Sequence, residues 1–357
     1  MGQLKLHDTK ILISENSLHD LLVYVNSYDV NNIFILVDEN TYKYCYPILL
    51  TKIPFLKKSS VIKMKSGESY KSMDVATNVF SILLARGINR ASLIINLGGG
   101  VICDIGGFIA SVIKRGVNFI NLPTTLMAQV DASVGGKVGV NFESSKNQIG
   151  LFSNPEVIFI YTPFVKSLPK EYFISACAEI LKYGLIFDAE FWNEICKVNF
   201  KKELDLYSII CKCLSIKLEL VRQDYYDYNE RRKLNFGHSI GHAIESVFMS
   251  KGISISHGQA LSVGIICETY ISQKKFNFKN SIMHNIAQTV LRTFSPIVLT
   301  NSCNDLILDS IKYDKKSELN SYNFTLLKNI GQSVVNCSVD DSEILRSLDF
   351  YKKLCQL

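Results

Sequence analysis

Three of the six histidines in this 357-residue chain, His238, His242 and His257, fall in one short stretch. His238 and His242 stand at i and i+4, on one face of a helix. That spacing can bind a metal, or it can set one ligand beside one acid–base group. His257 follows a loop over residues 250–256. A further ligand is needed, and carboxylates are the obvious supply. Glu179 and Lys182 stand at i and i+3 in the otherwise apolar run ACAEIL. A carboxylate there is costly unless it is paired or liganding. Spacing alone leaves two readings open: a metal site, or a buried Glu179–Lys182 ion pair beside hydrogen-bonded histidines.

Such groups need a frame. Residues 32–37 (NIFILV), 92–97 (SLIINL), 117–122 (VNFINL) and 157–161 (VIFIY) are short apolar runs that end in polar or glycine-rich turns. A helix-like segment over 72–85 separates the first two. This pattern predicts a parallel sheet with helices on its faces. Ligands of such sheets sit beyond the strands' carboxyl ends. Asp38 and Asn40 lie at the first of these ends. Gly98-Gly99-Gly100-Val101-Ile102-Cys103-Asp104 follows the second, and Thr124-Thr125 the third. A strand, a glycine turn and a helix start can present backbone N–H groups to a pyrophosphate. It is not GxGxxG, and glycine turns also serve tight packing. Ser66-Gly67-Glu68-Ser69-Tyr70-Lys71 forms another turn before a helix. Six of the seven prolines lie between Pro47 and Pro169, and residues 170–295 contain none. The apolar spacing turns helical from Glu171, so the domain boundary is placed near Pro169.

Composition narrows the function. Hydrophobic residues make up 47% and charged residues 20%, enough for a packed core. The net charge of +6 is mild and dispersed, which argues against a nucleic-acid partner and suits a small anionic molecule. Several lysines in Gly-rich, loop-like settings suit a phosphorylated, carboxylated substrate: Lys137 and Lys146 follow Arg115, and Lys182, Lys217, Arg231 and the pair Lys315-Lys316 add cations elsewhere. No apolar run approaches a membrane span. The ten cysteines lack CxxC pairs and a signal peptide is not seen, so they are read as reduced thiols of a cytoplasmic protein.

GGGVICDIGGF, NLPTTLMAQVDASVGGKVGVN, KNQIGLF, AEILKYGLI, LNFGHSIGHAIE and SHGQALSVG together closely resemble the 3-dehydroquinate synthase family. The resemblance runs from about Asp38 to about Gly331. It implies an N-terminal Rossmann-like α/β domain over 1–169 that binds NAD. It also implies an all-α, metal-binding C-terminal domain over 170–357, and a homodimer. The implied activity is a lyase of the shikimate pathway that uses NAD and zinc or cobalt. It converts 3-deoxy-D-arabino-heptulosonate 7-phosphate to 3-dehydroquinate and phosphate, by a transient oxidation that acidifies a neighbouring C–H.

Carried onto this chain, the resemblance makes Glu179, His238 and His257 the metal ligands. It assigns NAD contacts to Asp38, Asn40, Ser66, Gly67, Glu68, Ser69, Tyr70, Lys71, Gly100, Val101, Ile102, Cys103, Asp104, Thr124, Thr125, Lys137, Lys146, Phe164, Val165, Lys166 and Ser167. Substrate chemistry falls to Asp131, Lys137, Asn147, Lys182, Lys217, Arg231, Asn235 and His242, with one of Lys315 and Lys316. Arg115 matches an arginine that reaches the phosphate from the neighbouring subunit. Asp227 stands where the family usually has Glu, and is expected to orient Arg231. Asn229 replaces a Gly and is expected to adopt the left-handed conformation. Two other enzymes would share much of this set: another sugar phosphate cyclase and a metal-dependent polyol dehydrogenase. A chain without activity would not need its ligand candidates.

Overall fold

The computed structural model describes residues 2–6, 8–143, 145–200, 202, 204–314 and 321–356; Lys315 and Lys316 lie outside these. The chain forms two compact units. The first comprises Met1–Pro169 and Asp205–Leu218, the second Lys170–Leu204 and Glu219–Leu357. Asp205–Leu218 thus groups with the residues that precede Pro169.

The first unit is built on a seven-stranded sheet. Its strands are β1 (Gly2–Leu6), β2 (Thr9–Ile13), β3 (Ile33–Asp38), β4 (Ser60–Met64), β5 (Leu93–Gly98), β6 (Asn118–Pro123) and β9 (Val157–Ile160), in the order β1-β2-β9-β6-β5-β3-β4. Every pairing is parallel except β1 with β2. The four apolar runs are β3, β5, β6 and β9. Their continuous hydrophobicity follows from burial on both faces. Ile33, Ile35 and Val37 enter one core cluster, and Phe34 and Leu36 the opposite one, as strand alternation requires. Helix Gly100–Val112 joins the second cluster and lies hard against the sheet. A Cβ on Gly106 would fall 2.0 Å from Asn96 Oδ1, so glycine is required there. A separate antiparallel hairpin, β7 (Lys137–Phe142) and β8 (Ser145–Phe152), packs on the same helix.

The second unit is helical, as expected, with one addition. Strands β10 (Ser321–Asn329) and β11 (Gln332–Asp340) form an antiparallel hairpin that turns at Gly331, φ 77°. No helix among the described residues is long and apolar enough to cross a membrane. None of the ten cysteines is in a disulfide.

Candidate active site

In the first unit the candidate nucleotide residues gather where the parallel strands end. Asp38 closes β3 and caps the next helix: its Oδ1 accepts from Thr41 N at 2.8 Å, while Asp38 N donates to Thr41 Oγ1 at 2.9 Å. Asn40 is exposed one turn on. After β4 come Ser66, Gly67 (φ 115°), Glu68, Ser69, Tyr70 and Lys71. After β5, helix Gly100–Val112 begins at Gly99 with no side-chain cap. Its first N–H groups are left for an outside acceptor, and an anion at a helix start is favoured by the dipole. Thr124 and Thr125 follow β6, and Lys166 and Ser167 follow β9.

Not every named side chain is presented to a ligand. Ile102, Cys103, Phe164 and Val165 are buried, and the Phe164 ring packs edge-on against Tyr161 at 5.0 Å between centroids. Contact by these four is left to main-chain atoms. Burial also pushes the Cys103 thiol up, so it is not a reactive group.

Lys71 is the hub of this end. Its ammonium, only 3% exposed, donates to Asp104 Oδ2 at 2.5 Å and to Asn147 Oδ1. Burial raises the Asp104 carboxyl, against the pull of Lys71. Asn147, at φ 55°, donates from its backbone N to Asn141 Oδ1 at 2.9 Å, and Asn141 Nδ2 donates to Glu68 Oε1 at 3.0 Å. One network thus ties the β7–β8 hairpin to the 66–71 turn. Lys137 and Lys146 are exposed on that hairpin. Nearby in sequence, Asp131 lies on a single π-helical turn, Ala128–Ala132. Lys217, brought back by Asp205–Leu218, donates to Asp131 Oδ1 and to its carbonyl, both at 2.7 Å. Arg115 is exposed on a left-handed corner: Lys114, Arg115 and Gly116 have φ 54°, 64° and 110°. Backbone held there is strained.

In the second unit, helix Lys170–Phe187 carries Glu179 and Lys182, helix His238–Ser250 carries His238 and His242, and helix His257–Phe276 opens on His257. Both readings of the sequence are present at once. Glu179 Oε2 pairs with Lys182, while Glu179 Oε1 lies 3.3 Å from His238 Nε2 and 3.2 Å from His257 Nε2. The ligand atoms of Glu179, His238 and His257 lie within 4.8 Å of one another. Two imidazole nitrogens and a carboxylate are the donor set of a divalent zinc-type site. The far sides of both rings are also engaged. His238 Nδ1 lies 3.3 Å from Phe236 O, and His257 Nδ1 lies 3.7 Å from Glu245 Oε2. Metal-binding imidazoles have such outer partners. Burial would raise the Glu179 carboxyl, but Lys182 and the histidines hold it well below the usual range. Burial and Lys182 lower His238. Burial acts downward on His257 too, yet Glu179 and Glu245 raise it to about 9. His242 is exposed beside them, its ring 5.0 Å from His238 and 6.0 Å from His257.

Arg231, 3% exposed, donates from its guanidinium to Tyr225 O at 2.6 Å. Asn235 is exposed at the end of the short helix Glu230–Asn235. The left-handed residue in this loop is Asp227, φ 65°, whereas Asn229 has φ −142°, which corrects the expectation for Asn229. The carbonyl of Asp227 accepts from Arg232 Nε at 3.2 Å.

Two residues were missed. Glu245, three residues after His242, closes the motif LNFGHSIGHAIE and had a visible helical spacing. Asp224 accepts from the N–H groups of Tyr228 (3.0 Å), Asn229 (2.6 Å) and Arg231 (3.2 Å), and so shapes the loop that holds Arg231.

Known proteins share both the sequence and the architecture. The N-terminal 3-dehydroquinate synthase family matches residues 61–175 and its C-terminal counterpart matches 176–317. A 3-dehydroquinate synthase of Parabacteroides distasonis is 36% identical over 348 residues, 97% of this chain and 98% of that one. One of Clostridium tetani is 36% identical over 326 residues, 89% of this chain and 85% of that one. Among solved structures, a 2-deoxy-scyllo-inosose synthase complexed with carbaglucose-6-phosphate, NAD+ and Co2+ has a TM-score of 0.83 at 23% identity, covering 99% of both chains. A glycerol dehydrogenase of Schizosaccharomyces pombe shares the fold more loosely, with a TM-score of 0.64 at 14% identity, covering 99% of this chain and 91% of that one. With its motifs in place at strand ends and helix starts, and with full-length relatives at this identity, the chain belongs to the 3-dehydroquinate synthase family.

Proposed function

We propose that the chain converts 3-deoxy-D-arabino-heptulosonate 7-phosphate to 3-dehydroquinate and phosphate, with NAD and one divalent metal ion, zinc or cobalt. One observation favours this over a polyol dehydrogenase: both synthase family halves match, over residues 61–175 and 176–317, and a full-length synthase is 36% identical, whereas a glycerol dehydrogenase shares only the fold at 14% identity. Lys217, Arg231 and Asn235 together favour a substrate carboxylate over the uncharged ring of other cyclase substrates.

NAD would supply a reversible hydride acceptor, and the metal a Lewis acid at the alcohol to be oxidised. Glu179, His238 and His257 hold the metal. The open helix start at Gly100–Asp104 and the turns at Asp38, Lys71 and Thr124 hold the dinucleotide. Lys137, Asn147 and Arg115 bind the phosphate, while Lys182, Lys217, Arg231 and Asn235 fix the carboxylate and hydroxyls. Asp131 pairs with Lys217 and so fixes the lysine ammonium at the site. His242 is accessible and takes the alcohol proton. The departing phosphate can remove the neighbouring C–H proton itself, so no separate protein base is needed. The active unit is a homodimer of the cytoplasm. Exposed Arg115 supports the first part of that reading and ten cysteines without a disulfide the second.

The test is phosphate release from the heptulosonate phosphate, run with catalytic NAD. Release without net NADH supports the reading. Stoichiometric NADH, or no phosphate with verified metal and NAD, would overturn it.

A further inference from the structure

Helix His238–Ser250 has no cap of its own. Gly237 precedes it at φ 80° with no side chain to offer, and no acidic residue lies in its first turn. Its leading N–H groups therefore need an acceptor from elsewhere. Glu268 is that acceptor. Its Oε2 accepts from Gly237 N at 2.6 Å, and its Oε1 from Ile240 N at 3.1 Å. These two residues bracket His238. Glu268 is 0% exposed, and a carboxylate so buried is costly on its own. Two charge-assisted bonds at the positive end of a helix offset that cost.

The same helix, His257–Phe276, bears Glu268 and opens on His257. It also grips the turn it caps. A Cβ on Gly237 would fall 2.8 Å from Ile265 Cγ1, and one on Gly264 would fall 1.9 Å from Gly237 O. The start of the His238 helix is thus fixed by backbone contact and by the carboxylate, both from the element that delivers His257.

We propose that Glu268 is a positioning residue of the metal centre: it sets the rise and rotation of helix His238–Ser250, and so aims His238 and His242 relative to His257. The inference rests on the metal reading above. A helix advances about 1.5 Å per residue, whereas ligand distances are held to about 0.2 Å, so a small slip at Gly237 is felt at the metal. Glu268→Gln keeps the size but turns an NH2 group toward one of the two N–H donors.

The experiment titrates cobalt(II) into the purified full-length chain and its variants, and reads affinity and the visible absorption band. Wild-type binding with a ligand-field band upholds the metal reading, and its absence sinks both readings. Given that binding, Glu268→Gln should bind cobalt about 10–100-fold more weakly, with a shifted band. Ser272→Ala is the control. It removes a buried hydroxyl on the same helix that donates to Glu268 O and accepts from Leu327 N, and should keep wild-type affinity. Glu268→Asp, one methylene short, should fall between. Wild-type affinity and band in folded Glu268→Gln would overturn the proposal. If that variant does not fold, an unchanged Glu268→Asp overturns it instead. Failure of both to fold while Ser272→Ala folds also overturns it, making the carboxylate a fold determinant only.

Discussion

Lys71 and Asn147 lie 76 residues apart and share a hydrogen bond: the lysine ammonium donates to the side-chain Oδ1 of Asn147 while it pairs with Asp104 at 2.5 Å. A residue assigned to the nucleotide thereby holds one assigned to the substrate phosphate.

Replacing Lys71 by Met should weaken both. Asp104 would lose its cation and Asn147 its donor. Asp104 is about a quarter exposed, so solvent screens part of the loss, and destabilisation of about 1–2 kcal/mol is expected. NAD affinity should fall at least tenfold in a fluorescence titration. Unchanged NAD binding would remove Lys71 from the nucleotide site.

Metal removal should abolish activity without unfolding the chain. Lys182 compensates the buried Glu179 carboxylate whether or not a metal is bound, so the site does not collapse. Chelation followed by zinc or cobalt add-back, with circular dichroism in parallel, checks this. His257→Ala should behave like the chelated protein. Full activity in a verified metal-free sample would refute it.

Asp224→Ala should raise KM more than it lowers kcat, because the carboxylate shapes the Arg231 loop and is not assigned to the chemistry. Burial opposes ionisation of Asp224, but backbone N–H groups of Asn229, Tyr228 and Arg231 hold it below the usual aspartate range. A depressed carboxyl stabilises the fold above its unfolded value near 3.8, and that contribution is lost as pH falls through the lower folded value. The stability difference between wild type and Asp224→Ala should therefore shrink on acidification below about pH 4. A gap that persists there would disprove the capping role.

Asp227 is expected to orient Arg231, so Asp227→Asn should lower turnover only modestly. Its φ of 65° adds a term absent from the sequence comparison with Glu. Asn suits that conformation better than Glu, so Asp227→Glu should cost about 0.5–1 kcal/mol of stability with little loss of turnover. A fall of about 100-fold in the Asn variant, with binding unchanged, would make the carboxylate a proton-transfer group.

Mixing inactive Arg115→Ala subunits with inactive Lys137→Ala subunits should restore some activity, since one site of the mixed dimer keeps both cations. No recovery after confirmed subunit exchange would exclude delivery of Arg115 to a neighbouring site.

What the sequence disclosed followed from burial. Strands β3, β5, β6 and β9 are covered on both faces, so they appear as unbroken apolar runs. Strand β4 closes one edge of the sheet and is partly exposed, while β1 closes the other edge with the alternating β2 beside it, so none of them appears as an unbroken apolar run. The β10–β11 hairpin is hidden in a half of the chain whose apolar spacing is mostly helical. Buried Tyr322 and Phe324 nonetheless flank exposed Asn323, and Gly331 marks the turn. In the site, Glu179 was found because a carboxylate in an apolar helix needs a reason. Glu268, among Ile265, Ile266 and Cys267, gives the same signal and was overlooked. Asp224 left no such mark: its partners are backbone N–H groups, which sequence does not display.

The first unit is completed late in the making of the chain. Its sheet is encoded by residue 160, but Asp205–Leu218 brings the buried Ile210, Leu214 and Leu218, and the lysine that meets Asp131, only after Lys170–Leu204 has been spelled out. A nascent chain leaving the ribosome at about 5–20 residues per second must keep that surface open for several seconds. Until then Asp131 lacks Lys217, and the side chains of Ile210, Leu214 and Leu218 are missing from the first unit. A gene cut at Pro169 would freeze the protein in that interval, so the two halves are poor units for exchange between enzymes, however cleanly the prolines divide the linear sequence.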